Sequence, residues 1–156
     1  MSANLVFVAP RSGGKLWQGG VMSAMEQGKH DVIVLAAEEF QPPRGSGMLD
    51  PAADIIYAPN DDAELIPAQI QTATDAAVQV ADALERGQVV LVTCFAGRNR
   101  SGLISALALH TLMGMSGRHA SAFVRQAREN ALTNPNFSRF LDAIPAGAPR
   151  YFLGNR

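Results

Sequence analysis

Residues 88–102 read QVVLVTCFAGRNRSG, and the architecture expected of the chain follows from this segment. Residues 88–93 are mostly apolar and β-branched, which predicts a buried strand that runs straight into Cys94. Residues 101–113, beyond the loop, are apolar almost all round and predict a buried helix. A strand, a short loop and a helix in this order indicate an α/β layer architecture.

The other elements lie on both sides of this segment. Short apolar runs predict strands, and apolar residues at spacings of three and four predict helices. The predicted strands cover residues 4–9, 16–18, 31–36 and 54–57. One helix is predicted from Pro67 to a cap at Gly87, a second after Ser116 and a third after Asn134-Pro135.

Length and composition are those of one globular domain, which we assign to residues 1–156. The formal net charge of -1 excludes an overall basic surface for nucleic acid, so any affinity for an anion must be local. No apolar stretch approaches the roughly 20 residues of a membrane span. Cys94 is the only cysteine, and because a lone thiol suits a reducing cytosol we expect a cytoplasmic protein.

The loop between the strand and the helix has the composition of an anion cradle. Five residues separate Cys94 from Arg100, and Gly97 lets the backbone turn between them. Inward-pointing amides, the helix N-terminus and the Arg100 guanidinium all favour a bound anion. The same positive field favours the thiolate form of Cys94, which we predict to dominate at neutral pH. Ser101 can donate a hydrogen bond to that sulfur.

The run CFAGRNRS at 94–101 matches the Cys-x5-Arg-Ser/Thr signature of cysteine-dependent protein tyrosine phosphatases. The chain resembles the dual-specificity branch of that superfamily also in LWQGG at 16–20, VVLVTC at 89–94 and ASAFVRQARE at 120–129. The resemblance covers most of residues 14–144 in order and spacing. It implies the phosphotyrosine protein phosphatase fold, in which helices flank a central mixed, mostly parallel β-sheet.

The resemblance also implies a mechanism in which the Cys94 thiolate attacks phosphorus and forms a phosphocysteine. The phosphate oxygens are then bound by residues of the loop: Phe95, Ala96, Gly97, Arg98, Asn99 and Arg100. Ser101 assists departure of the sulfur when the intermediate breaks down. No metal or cofactor is implied. The expected partner is a phosphorylated protein, with phosphotyrosine and phosphoserine or phosphothreonine both open, or a small phosphate ester.

A general acid is the remaining catalytic group that the resemblance implies. An aspartic acid protonates the leaving oxygen and then activates water, and in the family it precedes the cysteine by roughly thirty residues. Asp61 lies 33 residues before Cys94 and is the favoured acid, with Asp62 as its alternative. Asn134 or Asn136 is expected to brace the loop through Ser101.

Two residues depart from the family pattern. Thr93 stands where the family usually has histidine, which leaves the effect on the thiolate open. Arg98 occupies a position that is basic in the phosphoinositide-phosphatase branch, so it either favours a substrate with more than one phosphate or is a solvated charge. Three other arginines are predicted to form a solvated helix face: Arg118, Arg125 and Arg128.

Several functions therefore compete at this point. The leading hypothesis is an active dual-specificity-type phosphatase. The alternatives are a non-catalytic phosphate-binding module of the same fold and a phosphatase of phosphoinositides or other non-protein phosphates. A related protein that acts on another oxyanion or transfers sulfur is the weaker option.

Overall fold

The computed structural model describes residues 3–43 and 45–150, so residues 1–2, 44 and 151–156 of the predicted domain lie outside the described residues. Five strands form one sheet: β1 (Asn4–Val8), β2 (Lys15–Gly19), β3 (Val32–Leu35), β4 (Asp54–Tyr57) and β5 (Val89–Thr93). Their spatial order is β1-β2-β5-β3-β4, with β1 antiparallel to β2 and the other neighbouring pairs parallel. The predicted mixed, mostly parallel sheet is confirmed.

Four helices follow the capping signals in the sequence: α1 (Pro67–Glu85), α2 (Arg100–Met113), α3 (Gly117–Ala127) and α4 (Pro135–Asp142). The Ser116 hydroxyl accepts a hydrogen bond from the His119 amide at 3.1 Å, and the Asn134 side chain accepts one from the Asn136 amide at 2.9 Å. Pro67 is the first residue of α1, as predicted. No helix among the described residues is long and apolar enough to cross a membrane.

The two faces of the sheet are covered differently. Val32 and Val34 of β3 join the larger core with the four helices, whereas Ile33 and Leu35 point to the opposite side and join a smaller cluster. That cluster includes Ala24, from the short 3-10 helix Val21–Met25. α2 lies within the larger core with 11 of its 14 residues buried, which confirms the predicted buried helix.

This topology sets the place of the loop between β5 and α2. Parallel strands end together at one edge of a sheet, and ligands of α/β proteins bind at that carboxyl edge. β5 ends at Thr93, so Cys94 begins the loop at this edge, between the ends of β2 and β3. Arg100 is the first residue of α2 and closes the loop at the helix N-terminus.

Candidate active site

The loop backbone is held from outside through four successive carbonyl oxygens. Their donors are the Val21 amide to Phe95 (3.0 Å), Arg128 Nη2 to Ala96 (2.9 Å), Gln18 Nε2 to Gly97 (2.9 Å) and the Leu132 amide to Arg98 (3.2 Å). In a trans peptide the N–H of the next residue points opposite to the carbonyl, so the amides of residues 96–99 turn into the loop. None of these four amides has an acceptor among the described residues.

Gly97 permits this backbone path. Its φ is +70°, in the left-handed region that favours glycine. A Cβ at this position would lie 2.4 Å from the Gly19 carbonyl carbon and 2.9 Å from Arg128 Nε. Both conditions exclude any larger residue without a shift of the loop.

Cys94 lies at the floor of this loop with 3% of its surface exposed. Its sulfur is 3.2 Å from the hydroxyl oxygen of Ser101, which is fully buried in the first turn of α2. The sequence predicted this pair, and the distance allows the hydroxyl to donate to a thiolate. A sulfur near a ring of amides and a helix N-terminus is suited to nucleophilic attack on an anion.

Arg100 closes the loop with its guanidinium buried and oriented. Its Nη1 donates to the Glu39 carboxylate and, at 3.2 Å, to the Asn60 carbonyl oxygen. Its Nε is buried and has no acceptor among the described residues. The Nε edge is therefore the part of this guanidinium that lacks an acceptor in the part of the chain that the structure describes.

The prediction that Arg128 belongs to a solvated helix face is wrong. The residue is only 3% exposed, and besides Ala96 it donates to the Asn4 side chain at 2.8 Å. Burial lowers the pKa of Arg128, an effect that the nearby Cys94 opposes, so the two groups are in electrostatic reach of each other. Arg128 follows Ala120 and Val124 at intervals of four, which continues the buried stripe of α3; that spacing was the available signal.

Arg118 and Arg125, by contrast, lie on the exposed face of α3 as predicted.

Gln18 is a second residue of the site whose role was not predicted from the sequence. It is fully buried, and its side chain holds the Gly97 carbonyl at 2.9 Å. Gln18 is two residues after the buried Leu16 on β2, so both side chains point to the same face. A polar residue at such a core position indicates a specific hydrogen bond.

Thr93, which replaces the expected histidine, links two segments of the site. Its hydroxyl donates to the Val34 carbonyl at 2.7 Å and accepts from the Gln41 side chain at 2.6 Å. The Gln41 side-chain oxygen in turn accepts from the Ala37 amide at 2.8 Å. The end of β5, which directly precedes the nucleophile Cys94, is thus linked by hydrogen bonds to residues 37–41.

The two candidate acids have different surroundings. Both carboxylate oxygens of Asp62 are engaged, one with the Asn99 side chain at 3.1 Å and one with the Asn134 side chain at 2.8 Å. Asp61 is exposed and accepts one bond from Gln69 at 3.2 Å. It lines an open cavity of ≈ 420 Å³ to which Glu39 also contributes. Asp61 has no hydrogen bond with the loop among the described residues.

The predicted contact between α4 and the loop is made to a different loop residue. The Asn134 amide donates to the Asn99 side chain at 3.0 Å instead of contacting Ser101. The Asn136 side chain reaches the Ala63 carbonyl at 3.3 Å. The expectation of a bond to Ser101 was wrong because Ser101 is fully buried and faces the sulfur, whereas Asn99 is the loop residue within reach of α4.

Two aromatic side chains border the loop. Phe95, directly after Cys94, is 53% exposed, and Phe40 is 52% exposed. Their ring centroids are 4.6 Å apart at an interplanar angle of 45°. The Phe40 ring also lies 6.0 Å from the central carbon of the Arg100 guanidinium. An apolar wall therefore stands beside the positively charged loop.

Comparisons with known proteins give results consistent with this geometry. Residues 52–144 match the family model described as dual specificity phosphatase, catalytic domain. No curated protein matches the chain by sequence.

Solved structures of similar fold include human DUSP28, with a TM-score of 0.71 at 22% identity, over 88% of this chain and 89% of that one. A mouse putative dual specificity phosphatase complexed with zinc tungstate gives 0.64 at 24% identity, over 88% and 83%. OH1 from the Orf virus, described as a tyrosine phosphatase with triple substrate specificity, gives 0.66 at 15% identity, over 90% and 84%. At these identities the similarity establishes the fold.

Proposed function

The chain belongs to the dual specificity phosphatase family by its match over residues 52–144, and on that premise we propose that it hydrolyses phosphate monoesters through a phosphocysteine at Cys94. The observation that carries the proposal is the set of four loop carbonyls whose donors lie outside the loop, since the amides of residues 96–99 then turn into the loop. A cytoplasmic location is part of the proposal, because a nucleophilic thiol needs a reducing compartment.

The reaction has two displacements. The Cys94 thiolate attacks phosphorus, a sulfur–phosphorus bond forms, and the ester oxygen leaves with a proton from the general acid. The inward amides and the free edge of Arg100 bind the equatorial oxygens, where charge is held in the transition state. Water then gives its proton to the same carboxylate and attacks phosphorus. The sulfur leaves as a thiolate, which the Ser101 hydroxyl stabilises from 3.2 Å.

Asp61 is the proposed acid, and its surroundings support it over Asp62. A general acid must carry a proton on an oxygen that is free to approach the leaving group. Both oxygens of Asp62 already accept amide hydrogens from Asn99 and Asn134, so neither oxygen is free to approach a leaving group. Asp61 has only the exposed contact with Gln69 and faces an open cavity, so its segment can approach a bound substrate.

Phosphotyrosine on proteins is the substrate that we favour. The Phe40–Phe95 pair offers an exposed aromatic wall next to the nucleophile, and aromatic pairs contribute roughly 0.5–1.5 kcal/mol beyond area burial. Phosphoserine and phosphothreonine have no ring to use this wall. A phosphoinositide or other non-protein phosphate is the second candidate, because Arg98 adds a further cation to the loop, close enough to lower the pKa of the buried Arg128.

Turnover of a small aryl phosphate tests the proposal. We expect activity from the wild type that EDTA leaves unchanged, and none from Cys94→Ser, which keeps its affinity for tungstate. Ser101→Ala is expected to slow breakdown of the intermediate, whereas Ser105→Ala, at a buried serine one turn along α2 whose hydroxyl has no partner among the described residues, is the matched control. Tungstate binding without turnover in the wild type would instead indicate the non-catalytic module.

A second assay addresses the substrate. Phosphotyrosyl and phosphoseryl peptides of the same sequence are compared with the wild type and with Phe95→Ala. We expect Phe95→Ala to reduce kcat/KM for the phosphotyrosyl peptide and to leave the phosphoseryl peptide nearly unchanged. An equal effect on both peptides would contradict the role of the aromatic wall.

A further inference from the structure

A cavity of ≈ 460 Å³ lies away from the candidate active site, at the edge of the sheet where β2 and β5 begin. Lys15 and Val89, the first residues of these two strands, line it together with Trp17. Trp17 packs against the smaller apolar cluster rather than the larger core with the helices. The loop of the candidate active site follows Thr93, at the other end of β5. The cavity is therefore a separate feature of the molecule.

β2 gives the cavity an aromatic surface and a cation side by side. Lys15 and Trp17 are two residues apart on the strand, so both side chains point to the same face of the sheet. The Trp17 side chain is half-buried, and its indole N–H has no acceptor among the described residues. The exposed Lys15 ammonium likewise has no hydrogen bond or ion pair within the part of the chain that the structure describes.

The opposite wall comes from the turn before β3 and carries three titratable groups: Glu26, Lys29 and His30. Lys29 Nζ lies 2.6 Å from a carboxylate oxygen of Glu26, so these two charges offset each other. Burial is the main cause that lowers the pKa of His30 below 6.5, so this ring is mostly neutral at neutral pH. The cavity lining therefore has a net charge close to +1, which Lys15 supplies.

His30 also has a polar atom that the described part of the chain leaves unsatisfied. Its Nδ1 is buried and has no hydrogen-bond partner among the described residues. Most buried polar atoms in proteins have such a partner. A polar ligand atom in the cavity can supply one, so His30 adds a second polar contact to that of Lys15.

The acids near this wall are already engaged. The Asp31 carboxylate accepts a hydrogen bond from the Val89 amide at 2.7 Å. Asp50 accepts from the Gly28 amide at 2.7 Å and from the Ala52 amide at 2.9 Å. Neither acid lines the cavity. These bonds fix the turn against β5, so the two walls of the cavity are held in place before any ligand binds.

We propose that this cavity binds a small aromatic carboxylate, with its ring against the Trp17 indole and its carboxylate on the Lys15 ammonium. The volume lies within the range of small-molecule sites, and an aromatic surface with a few polar groups is typical of them. One unpaired cation matches one negative charge. A phosphate dianion would need a second cation, and Lys29 is already paired with Glu26.

Nuclear magnetic resonance tests the proposal directly, because Trp17 is the only tryptophan of the chain and gives a single indole N–H signal. We expect benzoate to shift this signal saturably, with a Kd on the order of 1 mM for so small a ligand. Benzamide keeps the ring without the charge, and sulfate keeps a charge without the ring. Both are expected to bind at least about fivefold more weakly.

Three outcomes of these titrations would overturn the proposal. The first is the absence of a saturable shift of the indole signal at millimolar benzoate. The second is equal binding of benzamide, which would remove the role of the charge. The third is equal binding of sulfate, which would remove the role of the ring.

Lys15→Gln shows whether the ammonium holds the carboxylate. We expect this variant to raise the Kd of benzoate about fivefold and to leave the weak binding of benzamide nearly unchanged. Arg118→Gln is the matched control, because it changes the net charge equally and 81% of the Arg118 side chain is exposed, on α3. An equal Kd of benzoate for the two variants would contradict the proposal. Circular dichroism verifies that both variants are folded.

A titration of benzoate in the presence of tungstate separates this cavity from the loop between β5 and α2. We expect the Kd of benzoate to stay the same, since no residue of the loop lines the cavity. A Kd that rises in proportion to the tungstate concentration would place benzoate in the loop and overturn the proposal. None of these measurements needs turnover, so failure of the proposed phosphatase activity and failure of this inference are distinguished.

Discussion

Arg128→Met removes a buried cation that donates a hydrogen bond to the Ala96 carbonyl of the loop. We expect the substitution to reduce both stability and activity. The methionine fills much of the volume but cannot donate to Ala96 at 2.9 Å or to Asn4 at 2.8 Å. Hydrogen bonds that involve a charged group contribute roughly 1.5–3 kcal/mol each, but the variant also avoids the cost of burying the charge. We therefore expect a net loss of about 3 kcal/mol in the free energy of unfolding.

The effect on activity follows from the Ala96 carbonyl. Once this oxygen has lost its donor, the peptide between Ala96 and Gly97 can rotate, and the Gly97 amide no longer points to the anion. Loss of one oxyanion donor costs about 100- to 1,000-fold in kcat in well-studied cases. Because the Gly97 carbonyl is still held by Gln18, we expect a smaller fall in kcat/KM of about 10- to 100-fold.

Arg118→Met is the control, since Arg118 lies on the same helix with 81% of its side chain exposed. Urea unfolding gives the stability difference, and kcat/KM on an aryl phosphate gives the activity. For a chain of this length, about 3 kcal/mol corresponds to a fall in Tm of roughly 6–12 °C. If Arg128→Met matches Arg118→Met in both measurements, the proposed support of the loop by Arg128 is wrong.

Three further changes test other parts of the account. Asp61→Asn is expected to lower kcat roughly 100-fold for a substrate with a poor leaving group and much less for one with a good leaving group. Asp62→Asn is expected mainly to lower Tm. If instead Asp62→Asn shows the dependence on the leaving group, the acid role belongs to Asp62. Gly97→Ala is expected to reduce kcat/KM by about 100-fold or more. Gly13→Ala is a control for backbone strain alone, because Gly13 has a φ of +76° and no atom lies within 4 Å of the added Cβ. Equal activity of the two variants would refute the argument that a Cβ at residue 97 displaces the loop. Because the folded-state pKa of Glu39 is lowered, its ion pair stabilises the fold above pH 4.5 and loses this effect as pH falls through the lowered pKa. The stability difference between wild type and Glu39→Gln, from urea unfolding at several pH values, is therefore expected to shrink in acid, and a difference that grows would refute that sign.

The parts of the fold that depend on residues close to one another in the sequence were predictable from the sequence. The β5 strand and the α2 helix follow from apolar runs, and the starts of α3 and α4 follow from the capping residues Ser116 and Asn134. Cys94, Gly97 and Arg100 lie within seven residues of one another, so their common loop also has a local pattern. The loop and its two flanking elements were therefore predicted correctly.

The supports of the loop were missed because they come from distant segments. Arg128 lies 32 residues from the carbonyl that it holds, and Gln18 lies 79 residues from its partner. Each had a weak local signal, a polar side chain at a buried position of a helix or a strand, which composition alone does not reveal. Glu39 had no such signal, since residues 38–53 have the proline and glycine content of a loop and their tertiary contacts follow no periodicity.

Chemical trapping of the intermediate is the most direct test of the central claim. Asp61→Asn is mixed with an aryl phosphate, quenched with acid within the first turnover, digested and examined by mass spectrometry. Because Cys94 is the only cysteine, we expect one phosphoryl group on the peptide that contains it, and none in Cys94→Ser. An active enzyme whose Cys94 peptide stays unmodified throughout the reaction would contradict the account.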